Sequence, residues 1–199
     1  MRRLLVATYN AHKREEIKTL LSSLKGLKVV GLDELKIEPF MIVEDGKTFR
    51  ANAIKKSVTM SKFLDGLVLA DDSGLEVDAL DGRPGVRSAR FSRKNATDEE
   101  NNEKLLMLMN KIPEGRRTAR FVCNLALSEG GKLLECFEGE IKGIITLSPR
   151  GDSGFGYDPL FIPEKYEQTF GEMDPARKNK ISHRAEALRS FKKAVKKFI

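Results

Sequence analysis

Short continuous apolar runs alternate along the chain with stretches of helical spacing, and each change of pattern predicts an element. Arg2 to Thr8 reads as a first strand. Ala11 to Leu24 reads as a helix with Ile17, Leu20, Leu21 and Leu24 on one face. Leu27 to Gly31 is a second short strand. A helix from Thr48 to Leu64 follows, its inner face formed by Phe49, Ala53, Met60 and Phe63 or Leu64. Leu67 to Ala70 are all apolar, which predicts a strand buried on both faces. After the turn-rich Asp81 to Val86, Thr97 and Glu100 form a capping box opening a helix that carries Leu105, Leu106, Leu108 and Met109. Arg117 to Leu127 and Leu133 to Ile145 read as two antiparallel strands about Gly130-Gly131. Leu160 to Ile162 is a short strand. The last helix spans Ser182 to Phe198, with Ser182 as N-cap and Leu188, Phe191, Val195 and Phe198 on its buried face.

Strands alternating with helices give an α/β class. At 199 residues the chain forms one domain, or one domain with two lobes, and is long enough to bury a core. No stretch approaches the roughly 20 apolar residues of a membrane span, and the apolar run after Arg2-Arg3 is too short for a signal peptide. A cytoplasmic protein is expected. Cys123 and Cys136, on either side of the hairpin turn, are then reduced, half-buried thiols. The net charge of +7 suits a polyanion, either nucleic acid or a small phosphorylated ligand. Much of the excess is Lys192, Lys193, Lys196 and Lys197, a solvated helix face rather than a basic stretch interleaved with aromatics.

The candidate chemistry centres on Leu67 to Leu80, where the apolar run ends in Asp71-Asp72-Ser73-Gly74. A carboxylate at the end of a buried strand is costly unless paired, hydrogen-bonded or bound to metal. Successive strand residues face opposite ways, so only one Asp can aim into a given pocket and the other needs a structural partner. Thr8-Tyr9-Asn10-Ala11-His12-Lys13 joins a strand to a helix start, where unpaired N–H groups and the dipole favour an anion. Glu44 and Asp45 precede a helix, as partners of its dipole or as metal ligands. The glycines of Ser148 to Pro159 permit close backbone approach to a ligand, and its aromatic rings could stack on a base. His183 and Arg184 carry the wrong sign for a helix N-terminus. On an exposed helix that costs a few tenths of a kcal/mol, and it becomes favourable if an anion binds there. Lys178 could reach the same place. Phosphates, a flat base and a divalent metal would satisfy this inventory. Oxygen ligands without a His/Cys set make the metal Mg²⁺ or Mn²⁺.

Several short motifs occur in one order: Thr8-x-Asn10-x-x-Lys13, Glu44-Asp45-Gly46-x-Thr48-Phe49-x-x-Asn52-Ala53, Ala70-Asp71-Asp72-Ser73-Gly74-Leu75, Pro84-Gly85-Val86-x-Ser88-Ala89-Arg90, Phe155-Gly156-Tyr157-Asp158-Pro159, and Lys178 before Ser182-His183-Arg184-x-x-Ala187. In these the chain resembles the inosine triphosphate pyrophosphatase family along nearly its whole length. The resemblance implies one pyrophosphatase domain over residues 1–199 and an elongated mixed β-sheet flanked by helices. It also implies two lobes around a central nucleotide-binding cleft, and hydrolysis of dITP, ITP and XTP to the monophosphate and pyrophosphate. It further implies a homodimer, for which Gly82 to Arg93 is a candidate surface, with no stable nucleic-acid or membrane partner. Carried over residue by residue, Asp72 is metal ligand and proton acceptor, and Glu44 the other ligand. Thr8 to Lys13 hold phosphates, with Lys13 nearest the developing charge, and Ser73 contacts substrate. Asp71 is expected to be a structural acceptor. One departure is Ala185-Glu186, where some members carry Gly.

Base selection has a physical rationale in this reading. Hypoxanthine and xanthine present a 6-keto acceptor, adenine a 6-amino donor. Cationic donors from Lys178, His183 or Arg184 suit the former. Phe155 or Tyr157 stacks, Gly156 lies between them, and Asp158 reads a base N–H. Two alternatives are a basic nucleic-acid-binding module and a pyrophosphatase for canonical or modified pyrimidine nucleotides.

Overall fold

A computed structural model of the chain describes residues 1–35 and 42–199. In chain order it contains β1 (Arg2–Val6), α1 (Ala11–Leu21), β2 (Leu27–Gly31), α2 (Phe49–Met60), β3 (Leu67–Val77), α3 (Asp98–Met109), β4 (Thr118–Glu129), β5 (Lys132–Ile145), β6 (Phe161–Pro163), α4 (Pro175–Ile181) and α5 (His183–Ala194), with short 3-10 turns between some of them. Among the described residues, six strands make one sheet in the order β2-β1-β3-β4-β5-β6. β1 runs parallel to both β2 and β3, and β5 runs antiparallel to β6, so the sheet is mixed.

The chain divides into two compact units, one of residues 1–72, 123–139 and 184–199, the other of residues 73–122 and 140–183. The first is built on the period of two that a pleated strand imposes. Leu4, Val6, Leu67, Leu69, Cys123, Leu125 and Leu127 share one cluster with Ile17 and Leu21 of α1 and Leu188 and Phe191 of α5. The intervening Leu5, Val68 and Ala70 join another with Met60 of α2. β1 and β3 are therefore apolar on both sides, as their unbroken runs require. In the second unit, Leu75, Val77, Ala119, Phe121, Ile145 and Phe161 pack with Leu105 and Met109 of α3. Phe161 has its ring 4.7 Å from that of Phe121 and 5.4 Å from that of Phe170.

Three expectations need correction. The central strand does not stop at the two carboxylates but runs on to Val77. The polar side chains find partners on each face, so the backbone ladder need not break there. The last helix gives way to a 3-10 turn at Val195–Phe198, and its first turn is buried, with His183 and Arg184 only 5% and 1% exposed. α4 has no apolar periodicity to announce it. It starts at Pro175, with the Asp174 carboxylate accepting the Ala176 N–H at 2.8 Å.

Phe161→Ala empties a fully buried site between two aromatic neighbours. A loss of about 3–5 kcal/mol in unfolding free energy is expected by urea denaturation; a loss under about 1 kcal/mol would contradict this packing.

Candidate active site

The alternation that builds the first unit also separates the two carboxylates. Asp71 continues the face of Leu67 and Leu69, and Asp72 that of Val68 and Ala70. On its face Asp71 meets α1, β4 and α5. Lys13 Nζ lies 2.5 Å from Asp71 Oδ1, and Arg184 Nε lies 3.4 Å from Oδ2. The Cys123 thiol donates to Oδ2 at 3.1 Å. Arg184 also pairs with Glu16 on α1. Burial alone would raise the Asp71 pKa, but the charges of Lys13 and Arg184 overcome it and hold the carboxyl far below the ordinary range. Burial and the neighbouring Asp71 charge push the Cys123 thiol up, so it stays a protonated donor. The start of α1 is fixed separately. Asn10 Oδ1 accepts the Lys13 N–H at 3.0 Å, and Thr8 Oγ1 accepts the Asn10 N–H at 3.2 Å. Tyr9 and His12 lie exposed beside it.

On the other face Asp72 meets α2. Asn52 and Lys56 stand one turn apart, so their side chains share a side. Asn52 Nδ2 donates to Asp72 Oδ2 at 3.2 Å, while its Oδ1 accepts the Gly46 N–H at 2.8 Å and so ties down the segment carrying Glu44. Lys56 Nζ is 2.8 Å from Asp72 Oδ1 and 3.1 Å from Glu44 Oε1. Burial raises the Asp72 pKa, and the Glu44 charge adds to it; Lys56 and Lys13 oppose without reversing the shift. One carboxylate of the pair is thus locked as an anion, and its neighbour is made more basic.

Among the described residues no group of three or more His, Cys, Asp and Glu side chains could hold a metal by itself. Glu44 and Asp72 nevertheless converge on one cationic point, now taken by the Lys56 ammonium. Two carboxylates completed by water and phosphate oxygens match the way Mg²⁺ is usually held.

The second unit gathers Phe155, Asp158 and Lys178. Lys178 Nζ lies 2.6 Å from Asp158 Oδ2 and 4.8 Å from the centroid of the Phe155 ring. The same Oδ2 accepts the Phe155 N–H at 2.8 Å. Gly154, at φ +81°, makes this turn possible, since a Cβ there would lie 2.1 Å from that oxygen. Phe155 is half-buried. Tyr157 is buried and donates its hydroxyl to the Ser88 carbonyl at 2.8 Å. The buried His183 ring stacks on Phe121 at 4.9 Å and 11°. Ser73 is half-buried at the start of this unit. Sequence reasoning assigned no role to Lys56, Asn52 or Cys123. Lys56 carried a signal, because it interrupts the helical stripe of Phe49, Ala53 and Met60 with a charge.

Residues 4–194 match the model of the Ham1 family. A dITP/XTP pyrophosphatase of Desulforamulus reducens is 47% identical over 188 residues, covering 94% of this chain and 92% of that protein. Another, from Oceanobacillus iheyensis, is 43% identical and covers 97% of this chain and 98% of its own. The solved structure of a HAM1 protein from Coxiella burnetii matches with a TM-score of 0.87 at 37% identity, over 99% of this chain and 100% of the other.

Asp71→Asn would leave Lys13 and Arg184 without their shared counter-charge, at an expected cost of about 3–5 kcal/mol in urea unfolding. Because the folded pKa lies below the unfolded value near 3.9, the ionised carboxylate stabilises the fold above that pH and loses its effect as pH falls. The gap between wild type and variant should be flat from about pH 5 to 8 and shrink below about pH 4. A gap that stays constant into strong acid would refute this account.

Proposed function

The chain belongs to the Ham1 family, and from that membership we propose that it hydrolyses dITP, ITP and XTP to the monophosphate and pyrophosphate, clearing deaminated purines from the nucleotide pool. Relatives that are dITP/XTP pyrophosphatases, alike over nearly the full chain, support the substrate class. The observation that carries the chemistry is the division of labour between adjacent carboxylates, Asp71 fixed as an anion and Asp72 raised in basicity.

In this mechanism a water attacks the α-phosphorus and gives its proton to Asp72, whose raised pKa suits a general base. A new P–O bond forms, the bridging P–O bond breaks, and pyrophosphate leaves with the electron pair. Lys13, steered by Asp71, offsets the charge that develops on the phosphate oxygens. The segment from Thr8 to Lys13 receives the phosphates at the start of α1, through the positive end of the helix dipole and the Lys13 ammonium. Arg184, held by Asp71 and Glu16, acts through that pairing rather than on the base. Glu44 and Asp72 would hold Mg²⁺, with Mn²⁺ as the alternative; such an ion neutralises the triphosphate and acidifies water.

Lys178 and Asp158 together present a donor and an acceptor. Hypoxanthine and xanthine offer the complement, a keto oxygen at position 6 and an N–H at position 1. Adenine reverses both. An unpaired buried polar group costs about 1–3 kcal/mol, so one mismatch discriminates roughly 5- to 150-fold. Guanine shares the favoured edge and must be refused through its 2-amino group. Phe155 is the stacking ring, because Tyr157 is buried with its hydroxyl engaged. Ser73 contacts the substrate, and His183 supports the base-reading residues. The reading includes a cytoplasmic homodimer, where the two free thiols stay reduced, acting as one domain without a stable nucleic-acid partner.

Pyrophosphate release from ITP, XTP, GTP and ATP, each with Mg²⁺ and with EDTA, tests the proposal. Metal-dependent release strongly favouring ITP and XTP is expected, with Asp72→Asn and Glu44→Gln each lowering kcat by roughly 100-fold or more. Equal turnover of all four nucleotides would remove the base-reading argument, and absence of release would remove the enzyme.

A further inference from the structure

The loop that carries Phe155 and Asp158 is gripped from α3. Asp98 and Asn102 stand one helical turn apart, on the same side of that helix. Asp98 Oδ2 accepts the Gly156 N–H at 2.6 Å. Asn102 Nδ2 donates to the Gly156 carbonyl at 3.0 Å. Both polar groups of a single glycine are therefore held by one rigid element. The capping box of Thr97 and Glu100 fixes the turn from which Asp98 projects.

Gly156 sits at φ +63°, with open space where a Cβ would lie. Crowding does not set its conformation; the Asp158 N–H donates across it to the Phe155 carbonyl at 3.3 Å, and the two bonds from α3 hold both of its own polar groups. On the N-terminal side of this glycine, Phe155 donates its N–H to Asp158, the carboxylate that also takes Lys178. On the C-terminal side, Tyr157 is anchored through its hydroxyl to Ser88. Rotation of the Gly156 peptide would carry Phe155 away from both Asp158 and Lys178. Asp98, Asn102 and Leu106 also line, with Gly154, Phe155 and Gly156, a surface cavity of about 450 Å³, so the clamp stands at an accessible face of the loop.

We propose that Asp98 and Asn102 are positioning residues for base selection, holding Gly156 so that Phe155, Asp158 and Lys178 meet the purine edge in register. This rests on the base-reading role given above to those three residues. The test is steady-state kinetics with ITP, GTP and ATP, together with inhibition by tripolyphosphate, which carries phosphates but no base. In Asp98→Ala and in Asn102→Leu, KM for ITP should rise roughly 5- to 10-fold, the loss of one hydrogen bond. The preference for ITP over ATP, as a ratio of kcat/KM, should fall by a similar factor, with inhibition by tripolyphosphate unchanged. Asp98→Asn keeps an oxygen to accept the Gly156 N–H and should restore both quantities to within about 2-fold. Unchanged KM and unchanged preference in Asp98→Ala and Asn102→Leu would overturn the proposal. Weaker tripolyphosphate inhibition in step with KM would also overturn it, as the mark of a general loss of structure. If the wild-type enzyme itself does not distinguish ITP from ATP, the base-reading assignment fails before any variant is made.

Discussion

Everything in the first unit turns on one buried anion. Asp71 is a charge with almost no access to water, and such a group persists only where fixed cations and donors replace its hydration. Lys13, Arg184 and Cys123 do so from three different elements. The carboxylate therefore ties α1, β4 and α5 to the central strand, and it fixes where two cations stand. Two opposing effects compete here: desolvation, which favours the neutral acid, and the Coulomb attraction of two nearby cations. The cations win, as the depressed pKa records. At the next residue the balance tips the other way, because Asp72 shares its chief cation with a second carboxylate.

Much of the fold is legible from the chain because the first unit is built from strands apolar on both faces. Leu4 to Ala7 and Leu67 to Ala70 have no polar position to confuse the pattern, and the hairpin turn is marked by two glycines. The capping box of α3 is written out in Thr97 and Glu100. Legibility fails where tertiary partners overrule local chemistry. Asp71 to Gly74 looks like a polar turn, yet it lies within β3, where Asp71 and Asp72 each find partners on their own face of the sheet. His183 and Arg184 look like solvent-exposed cations at the wrong helix end, yet Arg184 is buried because Asp71 and Glu16 meet it. α4 stayed hidden because its seven residues bury little.

The candidate site was legible in outline. Spacing alone brought Lys13, the Asp pair, Glu44 and the glycine loop into consideration as phosphate, metal and base partners. What spacing could not supply was the pairing among them. Lys56, Asn52 and Cys123 act through contacts many positions away in sequence, and Asp98 and Asn102 reach the glycine loop only through folding. The same contacts divide the basic surplus of the chain. Lys13, Lys56, Lys178 and Arg184 stand buried or half-buried against carboxylates, whereas Lys192, Lys193, Lys196 and Lys197 lie at the end of the chain, Lys197 beside Glu135. A net charge of +7 thus says little about which cations meet a ligand.

The register of β3 also limits how the sequence can drift. Side chains alternate with a period of two, so inserting or deleting a single residue between Leu67 and Asp71 would exchange the faces of the two carboxylates. Asp72 would then lie on the face of Lys13 and Arg184, and Asp71 on the face of Lys56. An insertion of two residues would preserve parity while shifting both along the strand. The parity of the count between Leu67 and the acidic pair therefore decides which carboxylate meets which cations, a constraint that acts on number rather than on residue type.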